Sequence, residues 1–373
     1  MRMPKEKLCG GGALLRAGKP RRLQRLACLA LAAAAVFLLA QIPVLAEYFF
    51  ARGITRLLSG SIALITNYIP ISFYELTALL LIAGAAALIV CLIAYIVKKN
   101  KRALAVLLYR LAAAGLCVLL AFGALYAPLY NRAPVLSALG LSETEITAEK
   151  VYAVAEYYVE RLNDTSRKLS RDEEGNIVAP CSFDALADLL NAEYAALDGY
   201  FSPHEVRPKQ VALSVPMSYL GITGIYFPFY AEANVNVNIP SYELPVTMAH
   251  EMAHAKGVSH ERDANVAAYV ICIRAENDYL NYSGLMRAAA VMLNALPEEE
   301  YAELYGRLSD EVKAEYRNAN EHYAKYEGII DSISSFFNDL FLKANGVEGG
   351  TRSYSQTAES LVYLYEQLSG VQA

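Results

Sequence analysis

Several patterns that would point to other classes of protein are missing from this sequence. Its six cysteines include no Cys-x-x-Cys pair, which argues against a zinc site built from cysteines. No internal repeat and no low-complexity tract is visible, which argues against a repeat architecture. Histidine is scarce, with only five in 373 residues, yet three of the five lie between positions 250 and 260. That concentration favours a metal site in this short segment.

Acidic residues are rare in the first part of the chain. Residues 1–127 hold 15 Lys and Arg but only 3 Asp and Glu, whereas residues 128–373 hold 18 Lys and Arg and 35 Asp and Glu. The acidic balance of the second part argues against nucleic acid as a partner.

Three long apolar stretches lie in the first part, from about residue 26 to 46, 76 to 97 and 103 to 127. Each is near or above the roughly 20 residues that a helix needs to cross a bilayer, so we expect three transmembrane helices and the lipid bilayer as a partner. They contain no acidic residue, which argues against a transporter or a channel. Two alternatives stay open: the first stretch as a cleaved signal peptide, and residues 53–71 as an interfacial helix.

The positions of the basic residues predict the orientation of these helices. Residues 1–25 hold eight Lys and Arg, and residues 98–102 hold four more, but the connection between the first two stretches holds only Arg52 and Arg56. Since positive charge marks the cytoplasmic side, residues 1–25 form a basic cytoplasmic N-terminus, and residues 26–127 cross the cell membrane three times. Residues 128–373 are then an extracytoplasmic domain.

The second part reads as a mostly helical α+β domain with one small sheet. Amphipathic helices are predicted from residue 146 to 162 and from 183 to 197, and helices dominate after residue 245. Short strands are predicted at 211–215, 221–228 and 233–239. The alternating run 233–239 stands just before the next helix and is placed to be an edge strand that binds a peptide, where Glu232 and Asn234 would contact the substrate backbone.

That next helix carries the motif His250-Glu251-Met252-Ala253-His254. Two histidines four residues apart share one helix face and can bind one zinc ion. A neighbouring carboxylate such as Glu251 can act as general base toward a water that zinc has acidified. Gly257 is placed to end the helix.

The residues leave the third zinc ligand open. His250 to His260 fits the metzincin pattern HExxHxxGxxH, with His260 as ligand and Met286 or Met292 as the floor of the site. The rival is Glu261, whose surroundings are similar to the ExxAD element of gluzincin peptidases, although Asn265 replaces the usual aspartate. Asp263 is a weaker third choice.

At this point the chain resembles a family of bacterial membrane proteins, domain of unknown function 3810. The resemblance rests on three spans before an outer domain and on four segments: residues 224–229, 232–235, 250–265, and the late segment 343–347 with 352–354. It implies a zincin-like fold of the gluzincin type. The family pattern has an acid at position 261 and no fixed histidine at 260, so it favours Glu261 as ligand.

Tyr354, Arg352 and His322 are candidates for a donor that stabilises the oxyanion of the transition state. Cys181 and Cys272 form one disulfide or remain two buried thiols. Together these features predict a membrane-anchored zinc metallopeptidase that cuts peptide or protein substrates, with Zn²⁺ as cofactor. The alternative is a catalytically inactive binding or scaffold protein with the same fold.

Overall fold

The computed structural model describes residues 19–197, 199–328 and 352–370. Residues 1–18 of the predicted basic N-terminus and the late segment 343–347 lie outside the described residues. Thirteen α-helices occur in the described part: Lys19–Ala40 (α1), Thr55–Thr66 (α2), Phe73–Val97 (α3), Lys101–Leu125 (α4), Ala148–Ser166 (α5), Phe183–Ala195 (α6), Ser214–Tyr219 (α7), Leu244–Ala255 (α8), Glu261–Arg274 (α9), Asp278–Leu293 (α10), Glu298–Gly306 (α11), Asp310–Ala324 (α12) and Arg352–Ser369 (α13).

Three of these helices are long and apolar enough to cross a membrane. They comprise Arg21–Ala40 within α1, together with α3 and α4, which match the three stretches expected from the sequence. The central apolar window of α3 has no buried residue, and that of α4 has none either. Such a surface is suited to contact with lipid.

The chain between the first two apolar helices forms a π-helix, Leu45–Ile54, that runs directly into α2. This segment packs against the second part of the chain. Arg56 donates to the carbonyl of Gly199 at 2.8 Å, and Asn67 donates to the carbonyl of Glu205 at 2.8 Å. The segment 53–71, for which an interfacial helix was one alternative, is therefore largely helical, and it is bonded to the second part of the chain.

A cluster of charges, the junction cluster, ties this segment to the rest of the chain. It consists of the buried Glu47 and Arg132 and the exposed Arg52. The Glu47 carboxylate accepts from Arg52 Nε at 2.7 Å and from Arg132 Nε and Nη2 at 3.0 Å each. Arg132 also donates to the carbonyls of Gly257 at 2.7 Å and Tyr200 at 3.1 Å. The pKa of Glu47 is lowered because the hydrogen bonds and positive charges of the two arginines outweigh its burial.

Three strands form a small sheet in the order β1-β3-β2, with β1 at Lys209–Gln210, β2 at Gly224–Phe227 and β3 at Glu232–Val235. β1 is parallel to β3, and β2 is antiparallel to it. The predicted strand 211–215 is wrong, because the ladder ends near Val211. The Ser214 hydroxyl there bonds the Val211 carbonyl at 2.6 Å, and α7 begins.

The predicted edge position of the run 233–239 is also wrong. β3 is the central strand, and it stops at Val235. The side chains of the asparagines that follow bond residues before β2: Asn236 donates to the carbonyl of Ile222 at 2.9 Å, and Asn238 donates to Ser218 Oγ at 2.9 Å. Both β2 and β3 pack against the motif helix, and of the two it is β2 that lies at an edge of the described sheet.

Helices α8, α9 and α10 pack together and form the centre of the core, and α5 covers α10. Met248 and Met252 of α8 are fully buried, as are Met286 and Met292 of α10. Cys181 and Cys272 are both free thiols, so the structure contradicts the disulfide alternative. Burial raises the pKa of the Cys272 thiol, which keeps it protonated and unreactive.

Candidate metal centre

Two helices and the turn between them assemble the candidate centre. α8 begins with Pro245 in its first turn and presents His250 and His254 on one face. Gly257 has a φ of +100°, a conformation that glycine adopts without strain, and it ends the helix as expected. The chain then turns back, so that α9 starts at Glu261 next to the two histidines.

The ligand atoms of His250, His254 and Glu261, here called the metal cluster, all lie within 4.8 Å of one another. The two histidine Nε2 atoms are 3.0 Å apart, and the Glu261 oxygens lie 3.2 Å from His250 Nε2 and 3.5 Å from His254 Nε2. Ligand atoms at about 2.1 Å from a tetrahedral zinc ion are about 3.4 Å from one another. The donor set therefore fits zinc in both chemistry and spacing.

A hydrogen bond behind His254 orients its ring for this role. His254 Nδ1 lies 2.7 Å from the carbonyl of Val258, so Nδ1 carries the proton and donates it to that oxygen. Nε2 then faces the cluster, the orientation that metal-binding histidines require. Burial lowers the pKa of His254, but the Glu261 carboxylate outweighs it and raises the pKa to about 9 in the metal-free protein.

Glu251 is buried beside the cluster with one free oxygen. Its Oε2 atom has no hydrogen-bond partner, although the residue is only 4% exposed. Burial raises the pKa of this carboxyl to about 7, and the negative charge of Glu261 adds to the rise. An unpartnered buried carboxylate oxygen is costly to the fold unless a ligand or a proton occupies it, so this atom is the natural partner for a reactant.

The close approach of β2 explains why Glu251 is so enclosed. A Cβ atom at Gly224 would lie 2.4 Å from Glu251 Oε1, closer than any real contact. Only glycine allows the strand to come this near to the motif helix.

A cleft of about 870 Å³ opens over the metal cluster. One wall is formed by residues 220–229, including all of β2, and the other by α8 and α9. Val118, Leu119 and Phe122 of α4 also line it. The residues that line the cleft include Arg287, whose guanidinium lies 3.3 Å from the Glu243 carboxylate.

Four tyrosines line the cleft, and sequence reasoning did not find them: Tyr126, Tyr130, Tyr226 and Tyr269. Tyr126 Oη lies 3.3 Å from His254 Nδ1, and the rings of Tyr126 and Tyr226 are 5.6 Å apart. Among 27 tyrosines no local pattern distinguishes these four, apart from the place of Tyr126 at the end of an apolar stretch.

The rival metal ligands lie elsewhere. His260 faces away from the cluster: its Nε2 atom is 2.8 Å from the carbonyl of Tyr130, and its ring meets the Tyr130 ring edge to face. Asp263 is buried and bonds Arg262 at 2.9 Å. Asn265 does line the cleft, but Met286 and Met292 are enclosed in the core and do not.

Several predicted substrate contacts have other partners. Glu232 accepts from the backbone N–H groups of Phe73 and Tyr74 at the start of α3, and Asn234 accepts from Ser72 Oγ at 2.7 Å. The expectation that these two side chains bind the substrate backbone is wrong, because both are buried under that helix end.

Of the predicted oxyanion donors, the structure locates the side chain of His322 alone, and it lies away from the site. His322 Nε2 lies 2.9 Å from the carbonyl of Asn238, and His322 is not part of the cleft lining. Arg352 and Tyr354 lie in the first turn of α13, but their side chains lie outside the described residues.

A family model described as protein of unknown function (DUF3810) matches residues 50–362 of the chain. The chain therefore belongs to this family. The match begins inside the π-helix and so includes two of the three apolar helices as well as the whole metal cluster. No curated protein and no solved structure matches the chain.

Proposed function

We propose that this member of the DUF3810 family is a membrane-anchored, zinc-dependent metallopeptidase. The observation that carries the proposal is the spacing of the three donor atoms, 3.0 to 3.5 Å apart, beside the unpartnered oxygen of Glu251. The arrangement is zincin-like: a helix with the HExxH motif, a second helix that starts with the third ligand, and an edge strand alongside.

His250, His254 and Glu261 would hold the zinc ion. When bound, zinc supplies a Lewis acid that acidifies water and polarises the carbonyl of a peptide bond. Within the described residues the cluster offers three protein ligands, which leaves a tetrahedral position open for a reactant.

The other steps belong to residues of the chain. Glu251 accepts the proton of the attacking water through its free Oε2 and returns it to the leaving amine. β2 pairs only with β3 in the described sheet, so its other edge can align an extended substrate beside the cluster. Tyr126 and Tyr130 line the cleft, and they join Arg352 and Tyr354 as candidates to donate to the developing oxyanion.

The three apolar helices would span the cell membrane with the N-terminus in the cytoplasm, which places the cleft on the extracytoplasmic side. The second candidate function, an inactive binding or scaffold protein with bound zinc, accounts less well for Glu251. A structural site has no need of a buried carboxylate with a free oxygen next to the metal.

The first test is metal content. We would purify the full chain in detergent, because residues 45–67 are bonded to the outer part, and measure zinc per chain by mass spectrometry. We expect about one zinc per chain. It should be lost in Glu261→Gln and retained in the matched control His260→Gln, which changes the neighbouring residue.

Hydrolysis is the second readout, measured with a degenerate peptide library. The zinc-loaded wild type should cut peptides, and Glu251→Gln should bind zinc without cutting. A folded wild type that takes up no zinc when zinc is supplied would sink the proposal. A zinc-loaded wild type that cuts nothing would favour the scaffold function.

A further inference from the structure

The wall of the cleft nearest the apolar helices belongs to α4 itself. Val118 and Leu119 line the cleft and are also 54% and 49% exposed. They precede the end of α4 at Leu125 by six or seven residues, which is about 10 Å along a helix. If α4 spans the bilayer, the cleft therefore reaches about 10 Å below the outer end of the span.

The edge strand connects the membrane surface to the metal cluster. β2 starts at Gly224, in contact with Glu251, and ends at Phe227, whose ring lies 5.6 Å from that of Tyr74 in the first turn of α3. Tyr230, just beyond β2, stacks on Phe73 at 5.1 Å. Aromatic side chains at the outer ends of membrane helices mark the lipid–water interface. The strand thus runs from the catalytic position to the membrane surface over about 10 Å.

We infer that the cleft takes polypeptides that are themselves anchored in the membrane and cuts them about three to six residues from the anchored segment. The inference rests on the proposed function and names its substrate class. The free edge of β2 selects an extended polypeptide, since main-chain hydrogen bonds add it as a further strand. The exposed apolar residues of α4 accept the anchored end of the substrate, because both lie in the hydrocarbon of the bilayer.

The test compares one degenerate octapeptide library in three forms. In the first it is fused directly to a leucine-rich span of about 20 residues, in the second to the same span through a 30-residue Gly-Ser linker, and in the third it is free. The full chain and each library are combined in vesicles of phosphatidylethanolamine and phosphatidylglycerol, and products are sequenced by mass spectrometry. In the linker form the octapeptide has the same concentration at the membrane as in the direct fusion, but the linker separates it from the membrane surface.

We expect the direct fusion to be cut at least tenfold faster than the other two, at sites about three to six residues from the span. Equal cutting of the direct and linker forms would overturn the inference and leave the proposed function standing. So would faster cutting of the free library. If the zinc-loaded chain cuts none of the three, the proposed function and the inference both fail.

A pair of variants tests the role of α4 directly. Leu119→Ser makes the apolar wall polar, whereas Leu80→Ser makes the same change at a similar depth in α3, at a residue that is 63% exposed and outside the cleft. We expect Leu119→Ser to slow cutting of the direct fusion severalfold more than it slows cutting of the free library, with zinc content retained. Equal effects of the two variants would contradict a role for the α4 wall.

Discussion

Two partly buried clusters of charge in this protein are built in opposite ways. In the junction cluster every oxygen of Glu47 accepts a hydrogen bond from an arginine, and Arg132 also donates to two carbonyls and lies 3.8 Å over the Tyr200 ring. In the metal cluster two imidazoles and one carboxylate lie within 3.0 to 3.5 Å of one another, and the adjacent Glu251 keeps an unpartnered oxygen. The first cluster leaves neither oxygen of Glu47 without a partner, whereas the second lies beside a buried carboxylate oxygen that has none.

The difference teaches how a buried polar cluster that supports the fold can be told from one that performs chemistry. A satisfied cluster stabilises the fold, and removal of one partner leaves a buried charge without compensation. A cluster with an unpartnered buried polar atom lowers the free energy of unfolding, and it is retained for the ligand that it binds. The two clusters are also joined, since Arg132 Nη1 bonds the carbonyl of Gly257 in the turn that brings Glu261 to the histidines.

The largest effect should come from Glu251→Gln. We expect hydrolysis to fall about 10²- to 10⁴-fold because the general base is lost, while zinc content and the folded fraction stay unchanged. Peptide cleavage rates and zinc per chain, measured on one preparation, check this. If Glu251→Gln instead reduces the folded fraction, Glu251 supports the fold as the junction cluster does, and the two clusters do not differ in role.

Arg132→Met should show the opposite profile. Glu47 would keep only Arg52, so we expect the free energy of unfolding to fall by about 3 kcal/mol, seen as a fall of roughly 5–10 °C in the thermal midpoint. The control is Arg167→Met, which breaks the exposed pair with Asp164 and should cost less than about 0.5 kcal/mol. If both variants melt alike, the junction cluster adds no more than a surface ion pair.

A pH series in the presence of a chelator should reveal the cost of the unsatisfied carboxyl. The pKa of Glu251 is raised to about 7 in the folded chain from an ordinary 4.5, so the folded state binds this proton more tightly than the unfolded state. The contribution of this proton to the free energy of unfolding is fully present below pH 4.5 and is lost as the pH rises through 7.

Glu251→Gln lacks this titration. It should therefore become more stable than the metal-free wild type as the pH rises, by no more than about 3 kcal/mol above pH 7. Thermal midpoints of both proteins from pH 5 to 8 check the sign, and His254 titrates in both. If the difference in thermal midpoint between the two proteins does not change with pH, this result contradicts the raised pKa of Glu251.

The smallest effect should come from Gly224→Ala. The added Cβ would meet Glu251 Oε1 at 2.4 Å, so either β2 or the Glu251 side chain must leave its present position. We expect about a tenfold loss of hydrolysis with zinc retained. Gly306→Ala is the matched control, because nothing lies within 4 Å of a Cβ placed there. Equal activity of the two alanine variants would show that the strand does not position Glu251.

Local pattern was enough for part of the fold and the site. The positions of α3 and α4 follow from runs of apolar residues, and the end of α8 follows from Gly257. The four-residue spacing of His250 and His254 requires both on one face of any helix, and the structure shows them there. These features depend on neighbours within a few positions, which the sequence displays directly.

Other features were decided by contacts between distant residues. The run 233–239 alternates like an edge strand, yet β3 is central because β1 and β2 both pair with it. Glu232 and Asn234 look like substrate contacts until Ser72, Phe73 and Tyr74 of the distant α3 start are seen to bind them. A periodicity of two predicts a strand but does not say which neighbours it will have.

By itself, then, the sequence determined which segments are apolar helices and that His250, Glu251 and His254 lie together on one helix. Only the tertiary structure decided that Glu261, and not His260, lies against the two histidines, and that α4 borders their cleft. Glu261 and His260 are adjacent in the chain, so composition and spacing barely distinguish them. Their directions are set by the turn at Gly257, by Arg132 behind it and by the Tyr130 ring that holds His260 away.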